Sequence, residues 1–217
     1  MSLLDQLSKN KGTVSSALGK ALAQKVLDGR QTGILLECVD LASYEAAAPR
    51  SKHIRAGAAK VIEIVAEKRP ELVAPHLERL LPALAVSEPQ TRWMIIRTVG
   101  FCARLNPAIA KKAVPYAEKY IDAKEGLVLA SSADLFLGDL GALSQQDARR
   151  VFPILELSLE NPLANEPDWL LEAFFKMFHN LGKTEQEKVM KYAQRCQTSS
   201  RKSTQQRAKR LLRLAQL

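Results

Sequence analysis

The stretch RAGAAKVIEIVAEKRPELVAPHLERLLPAL, residues 55–84, is followed by a second version of itself, RWMIIRTVGFCARLNPAIAKKAVPYAEKYI, at residues 92–121. Overlaid at a constant shift of 37 residues, Arg55 falls on Arg92, Lys60 on Arg97, Ala66 on Ala103, Pro70 on Pro107 and Leu84 on Ile121. Self-similarity at such a period is the mark of stacked supersecondary units, each too small to bury its own apolar surface. It restricts the chain to a repeat array before any residue is assigned a role.

The pattern within each unit is helical. Ile54, Ala58, Val61, Ile62, Val65 and Ala66 lie at i, i+4, i+7, i+8, i+11 and i+12, which makes one wide apolar face. The alternation of a half-buried strand is absent. Pro70 and Pro107 suit the first turn of a second helix, where the missing N–H would be unpaired anyway. Leu72, Leu77, Leu80, Leu81 and Leu84 give that helix its own stripe. Further on, Ser144 is the expected N-cap of a helix running through SQQDARRVFPILELSLEN. EPDWLLEAFFKMFHNLG and KTEQEKVMKYAQRCQ form the next pair, with Thr184 and Glu187 spaced as a capping box. Residues 14–28 and 31–47 read as a worn first pair, and about 203–216 as a terminal helix. Pro75, Pro82, Pro115 and Pro153 fall inside second helices and are expected to bend them, since an interior proline costs about 3 kcal/mol.

Antiparallel helix pairs at this period resemble HEAT or armadillo-type repeats. The resemblance spans about residues 14–200 and rests on the two aligned units, although the turns EKRP, RLNP, GALS and LGKT lack the aspartate often repeated there. It implies an all-α fold, a right-handed α-solenoid of about five antiparallel pairs plus a C-terminal helix. One domain over 1–217 is expected, with a worn repeat at about 14–47, the clearest repeats at 51–84 and 88–121, and a basic cap at about 200–217. Such arrays offer partners a concave surface lined by second helices.

Charge is unevenly placed. Of the net +9, residues 183–217 contribute +8, from 10 Lys+Arg against 2 Asp+Glu. Lys112, Arg149 and Lys188 recur at near-repeat spacing, with Lys111, Arg150 and Lys191 beside them. Cations at matched heights on successive second helices would form a basic ribbon. The terminal stretch SRKSTQQRAKRLLRLAQL is amphipathic: Ala208, Leu211, Leu212 and Ala215 share one side, with Arg207, Lys209, Arg210 and Arg213 around them. It is expected to cap the apolar core while showing its basic side, the alternative being a free arm for an anionic surface.

Catalytic signatures are missing: no Gly-rich phosphate loop, GxSxG, HExxH or Cys/His ligand spacing occurs. No cofactor or metal is expected, and His53, His76 and His179 sit in unrelated repeats. Cys38, Cys102 and Cys196 are few and scattered, which fits reduced thiols in a cytoplasmic protein. The N-terminus lacks the pattern of a signal peptide, and no apolar run is long enough to span a membrane. The leading expectation is a non-catalytic scaffold that binds a protein partner, an acidic segment, through its concave face. Lys111, Lys112, Arg149, Arg150, Lys188, Lys191, Arg207 and Arg210 are the candidate contacts. The alternative is a nucleic-acid-binding HEAT-like protein resembling the DNA alkylation-repair glycosylases, with Asp168 and Trp169, or Trp93 beside Arg92, in the cleft. Against it, Asp168, Glu172, Lys176 and Asn180 form a polar i, i+4 stripe, and Trp169, Phe174, Phe175 and Phe178 are expected in the core.

Overall fold

Helix-start chemistry and proline divide the chain into short helices. In the computed structural model, which describes residues 2–9, 17–45 and 51–214, there are fourteen α-helices and three 3₁₀ turns, with no strand among the described residues. The all-α repeat fold inferred from the 37-residue period is the fold observed.

The chain divides into two compact units, Met1–Ala113 and Val114–Leu217. The first holds α1 (Leu3–Lys9), α2 (Ala17–Leu27), α3 (Gly33–Leu41), α4 (Ser51–Lys68), α5 (Pro70–Val73), α6 (Leu77–Leu80), α7 (Pro89–Cys102) and α8 (Pro107–Lys112). Its middle is α4, packed against α1, α2, α3, α5 and α7. The apolar face read from the sequence is buried throughout: Ile54, Ala58, Val61, Ile62, Val65 and Ala66 are each at most 4% exposed. The worn first pair corresponds to α2 and α3; residues 14–16 and 46–47 lie outside the described residues. Helix α1 was not foreseen. Its signal was present, because Ser2 Oγ accepts from the Asp5 N–H (3.1 Å) while Asp5 Oδ2 accepts from the Ser2 N–H (3.2 Å).

The second unit holds α9 (Val114–Ala123), α10 (Leu127–Gly141), α11 (Gln145–Glu160), α12 (Pro167–Met177), α13 (Lys183–Cys196) and α14 (Lys202–Leu214). Here α10 is central, against α9, α11 and α12, and α14 closes over α12 and α13. Close approach fixes one residue type: a Cβ on Gly138 of α10 would sit 2.6 Å from the Ala173 Cα of α12. Ala208 and Leu211 of α14 are fully buried, so the terminal helix is a cap. Ala215 and Leu217 lie outside the described residues.

Three of the four interior prolines do more than bend. Pro75 and Pro82 sit in 3₁₀ turns, Ala74–His76 and Leu81–Leu84, which cut the second helix into α5 and α6. Pro115 enters the first turn of α9, just past the break that ends α8 at Lys112. Only Pro153 stays inside a continuous helix, α11. Each removes an N–H and crowds the carbonyl four residues back, and a tighter turn or a restart relieves both. Pro70 and Pro107 open α5 and α8 as expected, and Ser144 caps α11 by accepting from the Asp147 N–H (3.1 Å). The cap of α13 falls elsewhere than at Thr184. The helix starts at Lys183, and Glu185 Oε2 accepts from the Gly182 N–H (2.5 Å).

Candidate binding surface and buried carboxylate sites

The periodic cations form a ladder. Arg79 of α6 pairs with Asp40 of α3, and Lys112 of α8 reaches Glu78 of α6 at 2.7 Å. In the second unit, Lys176 of α12 reaches Asp139 of α10 at 2.5 Å, Lys188 of α13 pairs with Glu156 of α11, and Arg210 of α14 pairs with Glu172 of α12. Every rung joins residues 32 to 39 apart, about one repeat. Lys112–Glu78 and Lys188–Glu156 are the same rung two repeats on. Turn asparagines add neutral rungs: Asn106 Nδ2 donates to the Ala74 carbonyl (3.2 Å) and Asn180 Nδ2 to that of Gly141 (3.0 Å). Each of these five cations reaches back to a carboxylate about one repeat earlier, whereas Arg149, between Lys112 and Lys188 in the period, does not among the described residues.

The eight candidate contacts fall into two sets. Lys112, Lys188, Arg207 and Arg210 face carboxylates of the chain itself; Arg207 lies 3.6 Å from Asp168 and 3.7 Å from Glu172. Arg207 and Arg210 also stack over Trp169 and Phe175 of α12, at 5.4 and 3.9 Å from the ring centroids. Lys111 is half-buried. Arg149, Arg150 and Lys191 are exposed and make no ion pair among the described residues. Two shallow grooves flank α13. One, of 440 Å³, runs over Phe178 and Met190; the other, of 550 Å³, runs between α11 and α13 over Leu159 and Tyr192.

Asp168, the first member of the polar stripe, is buried. It is 4% exposed at the start of α12, where it accepts from Ser203 Oγ (2.8 Å), from Thr204 Oγ1 and from Arg201 (3.4 Å). Burial would raise its pKa, but these hydrogen bonds and the Arg207 charge hold it below the ordinary aspartate value. Its work is to seat α14. Trp169, expected in the core, is 37% exposed beneath Arg207, because the face of α12 that it occupies meets the cap's cations rather than its leucines.

Two further carboxylate sites were not anticipated. In the first unit, Glu88 is 8% exposed and receives Arg55 Nε at 2.8 Å, a second Arg55 nitrogen (Nη2) at 2.6 Å, and Thr91 Oγ1 at 2.6 Å. Arg55 Nη1 also donates to the Tyr44 carbonyl (2.9 Å). Burial pushes the Glu88 pKa up, and the donors from Arg55 and Thr91 bring it below the ordinary value. In the second unit, Asp134 of α10 is fully buried and accepts from Ser158 Oγ of α11 (3.1 Å). Its Oδ2 is buried with no donor to accept from, and the carboxyl group acting on it is that of Glu166, which also accepts from the Leu163 N–H. Two carboxylates can share a hydrogen bond only if one is protonated. Burial, and for Asp134 the charge of Glu166, raises both pKa values. The only sequence sign was Asp134 standing amid the largely apolar run LVLASSADLFLG.

All three cysteines are free and buried, and burial pushes the thiols of Cys38 and Cys102 up to about 12. No group of three His, Cys, Asp or Glu side chains among the described residues is arranged to hold a metal. No helix among them is long and apolar enough to cross a membrane.

No protein-family model matches the sequence, and no curated protein matches it. Solved structures do share the fold. A designed armadillo repeat protein, YIII(Dq)4CqI, superposes with a TM-score of 0.67 at 13% identity, covering 97% of each chain. A crystallised engineered protein gives 0.65 at 16% identity, over 98% of this chain and 96% of that one. A further designed armadillo protein, solved in complex with the peptide (KR)4, gives 0.60 at 12% identity, over 97% of this chain and 90% of that one. These place the chain among armadillo-like helical repeat folds.

Proposed function

We propose that the chain is a repeat scaffold that binds a protein segment of acidic character along the exposed face of α11 and α13. The observation that carries this reading is the set of cations the ladder leaves over: Arg149, Arg150 and Lys191 are exposed, close in sequence to rungs, and without a carboxylate of their own among the described residues. The likeness to a designed armadillo protein solved with a bound peptide supports the mode of use, a peptide laid on repeat helices. That peptide is basic. The leftover charge here is basic too, so the complementary segment is acidic. Three buried free thiols suit a cytoplasmic setting.

The nucleic-acid reading has less to stand on. Lys112, Lys188, Arg207 and Arg210, half of the expected ribbon, already face carboxylates, which would repel phosphate. The test is titration of a fluorescent glutamate-rich peptide into the protein. Replacing Arg149 and Arg150 together by Glu should weaken binding by at least about tenfold, since charge-assisted contacts contribute about 1.5–3 kcal/mol each. Equal binding by the parent and the double variant would overturn the reading, and so would tighter binding of a DNA duplex of matched charge.

A further inference from the structure

We infer that the groove over Phe178 and Met190 takes an extended segment with carboxylates at its first and fifth positions and a base at its third, acid-x-base-x-acid. This rests on the acidic-segment reading above and gives that segment a register. Lys183, Glu187 and Lys191 all line the groove. They are exposed, and none of them makes an ion pair among the described residues. Along α13 they stand four residues apart, so charges of alternating sign, positive, negative and positive, recur about every 6 Å.

Side chains two apart on an extended chain leave from the same side, about 6.6 Å from each other. The strand period therefore nearly matches one turn of the helix, and over two steps the mismatch is about 1 Å, which long side chains absorb. The first, third and fifth residues of such a segment face α13, and the second and fourth face solvent. A carboxylate, a base and a carboxylate then meet Lys183, Glu187 and Lys191 in turn, while the stem of the base covers the apolar floor at Met190. The pattern is symmetric, so either chain direction serves. A groove of 440 Å³ that runs the about 16 Å from Lys183 to Gln194 has room for one extended chain and not for a helix about 10 Å across. The groove on the other side of α13 offers no such row. There Lys191 and Arg195 share the space with Glu160 and with the Lys188–Glu156 pair, so its charges come from two helices, and Arg195 lies over the Tyr192 ring.

The experiment uses the full chain and fluorescein-labelled peptides between glycine-serine linkers, read by polarisation. The matched peptide carries Glu-Ser-Lys-Ser-Glu, and the comparisons carry Glu-Ser-Glu-Ser-Glu and Lys-Ser-Glu-Ser-Lys. The parent should bind the matched peptide about fivefold tighter than either, the size of one solvent-exposed charge contact. Glu187→Lys should reverse the first preference, so that the peptide with three glutamates binds about fivefold tighter than the matched one. Glu160→Lys makes the same charge change beside the other groove and should leave the order of the parent. If the peptide with three glutamates binds the parent tightest, or if the two variants change the order alike, the register is overturned while an acidic partner stands. Tightest binding of Lys-Ser-Glu-Ser-Lys, or binding of none of the three, overturns both readings.

Discussion

The two compact units bury carboxylates by opposite means. In Met1–Ala113, Glu88 is held ionised by a two-pronged contact from Arg55 and by the Thr91 hydroxyl. In Val114–Leu217, Asp134 meets another carboxyl group, Glu166, with a serine hydroxyl as its other hydrogen-bond partner, and the pair is satisfied only while it keeps a proton. The same repeat architecture thus carries two buried sites of opposite pH sign. The folded-state pKa of Glu88 is lowered, so its contribution is present above the unfolded value and lost as pH falls through the folded one. The pKa values of Asp134 and Glu166 are raised, so that site is most favourable below the unfolded carboxylate value, about 4, and weakens as pH rises toward the folded values. Burial alone therefore does not tell how a carboxylate acts. The donor that faces it does.

Trp93 and Trp169, one in each unit, allow the contrast to be broken in each half by fluorescence. The largest effect is expected from Arg55→Met, which strands Glu88 without its cation. Breaking a buried pair costs about 3–5 kcal/mol, to be read from urea unfolding of a Trp169→Phe background. An unfolding midpoint within error of the parent would show that the pair is not the anchor of its unit.

Asp134→Asn should move stability the other way. The amide donates to an ionised Glu166 as the shared proton does, so the variant should gain about 1–3 kcal/mol at pH 8, the usual cost of a buried polar group left without its partner. At pH 4 the gain should nearly vanish. Urea melts at both pH values, followed by Trp169 in a Trp93→Phe background, decide it. A variant less stable than the parent at pH 8 would mean that the pair is not proton-sharing.

Two glycines sharpen the contrast in packing. A methyl on Gly138 meets the backbone of Ala173, which cannot swing aside, whereas one on Gly57 meets only the Leu7 Cδ2 at 2.8 Å. Gly138→Ala should cost about 1–3 kcal/mol through overpacking. Gly57→Ala should be near neutral, the rotation of Leu7 offset by better helix propensity, which favours alanine by about 1 kcal/mol. Thermal melts that rank the two in the reverse order would refute the close approach of α10 to α12. The smallest effect belongs to the exposed rungs. Replacing Lys112 and Lys188 together by alanine should leave both unfolding midpoints unchanged, because surface ion pairs are screened by solvent. A clear loss of stability would make the ladder a structural element of its own.

Much of the architecture could be read from local pattern. The echo of residues 55–84 in 92–121, the apolar face of α4, the opening prolines of α5 and α8 and the Ser144 cap all depend on neighbours within a turn or two. The reading failed where the outcome depended on residues a repeat away. The i, i+4 stripe placed Asp168 on the polar side of its helix but not its partners: Arg201, Ser203 and Thr204 reach it from more than thirty residues on. The prolines at 75, 82 and 115 were expected to bend helices and instead divided them, since short segments had enough tertiary contact to survive a break.

Charge shows the division most directly. By itself the sequence determined that residues 183–217 carry +8, and that residues 114–182 hold 5 Lys+Arg against 11 Asp+Glu. It determined the repeat, the helices and the recurrence of cations at one-repeat spacing. Only the tertiary structure decided that the two stretches pack together as one unit, so that Lys188 faces Glu156, Arg210 faces Glu172, and Arg149, Arg150 and Lys191 remain exposed. Helical periodicity is a property of residues three and four apart, which the chain holds in place locally. An ion pair or a shared proton requires two groups within hydrogen-bonding distance, and for residues more than thirty positions apart that distance is set by how one repeat packs on the next.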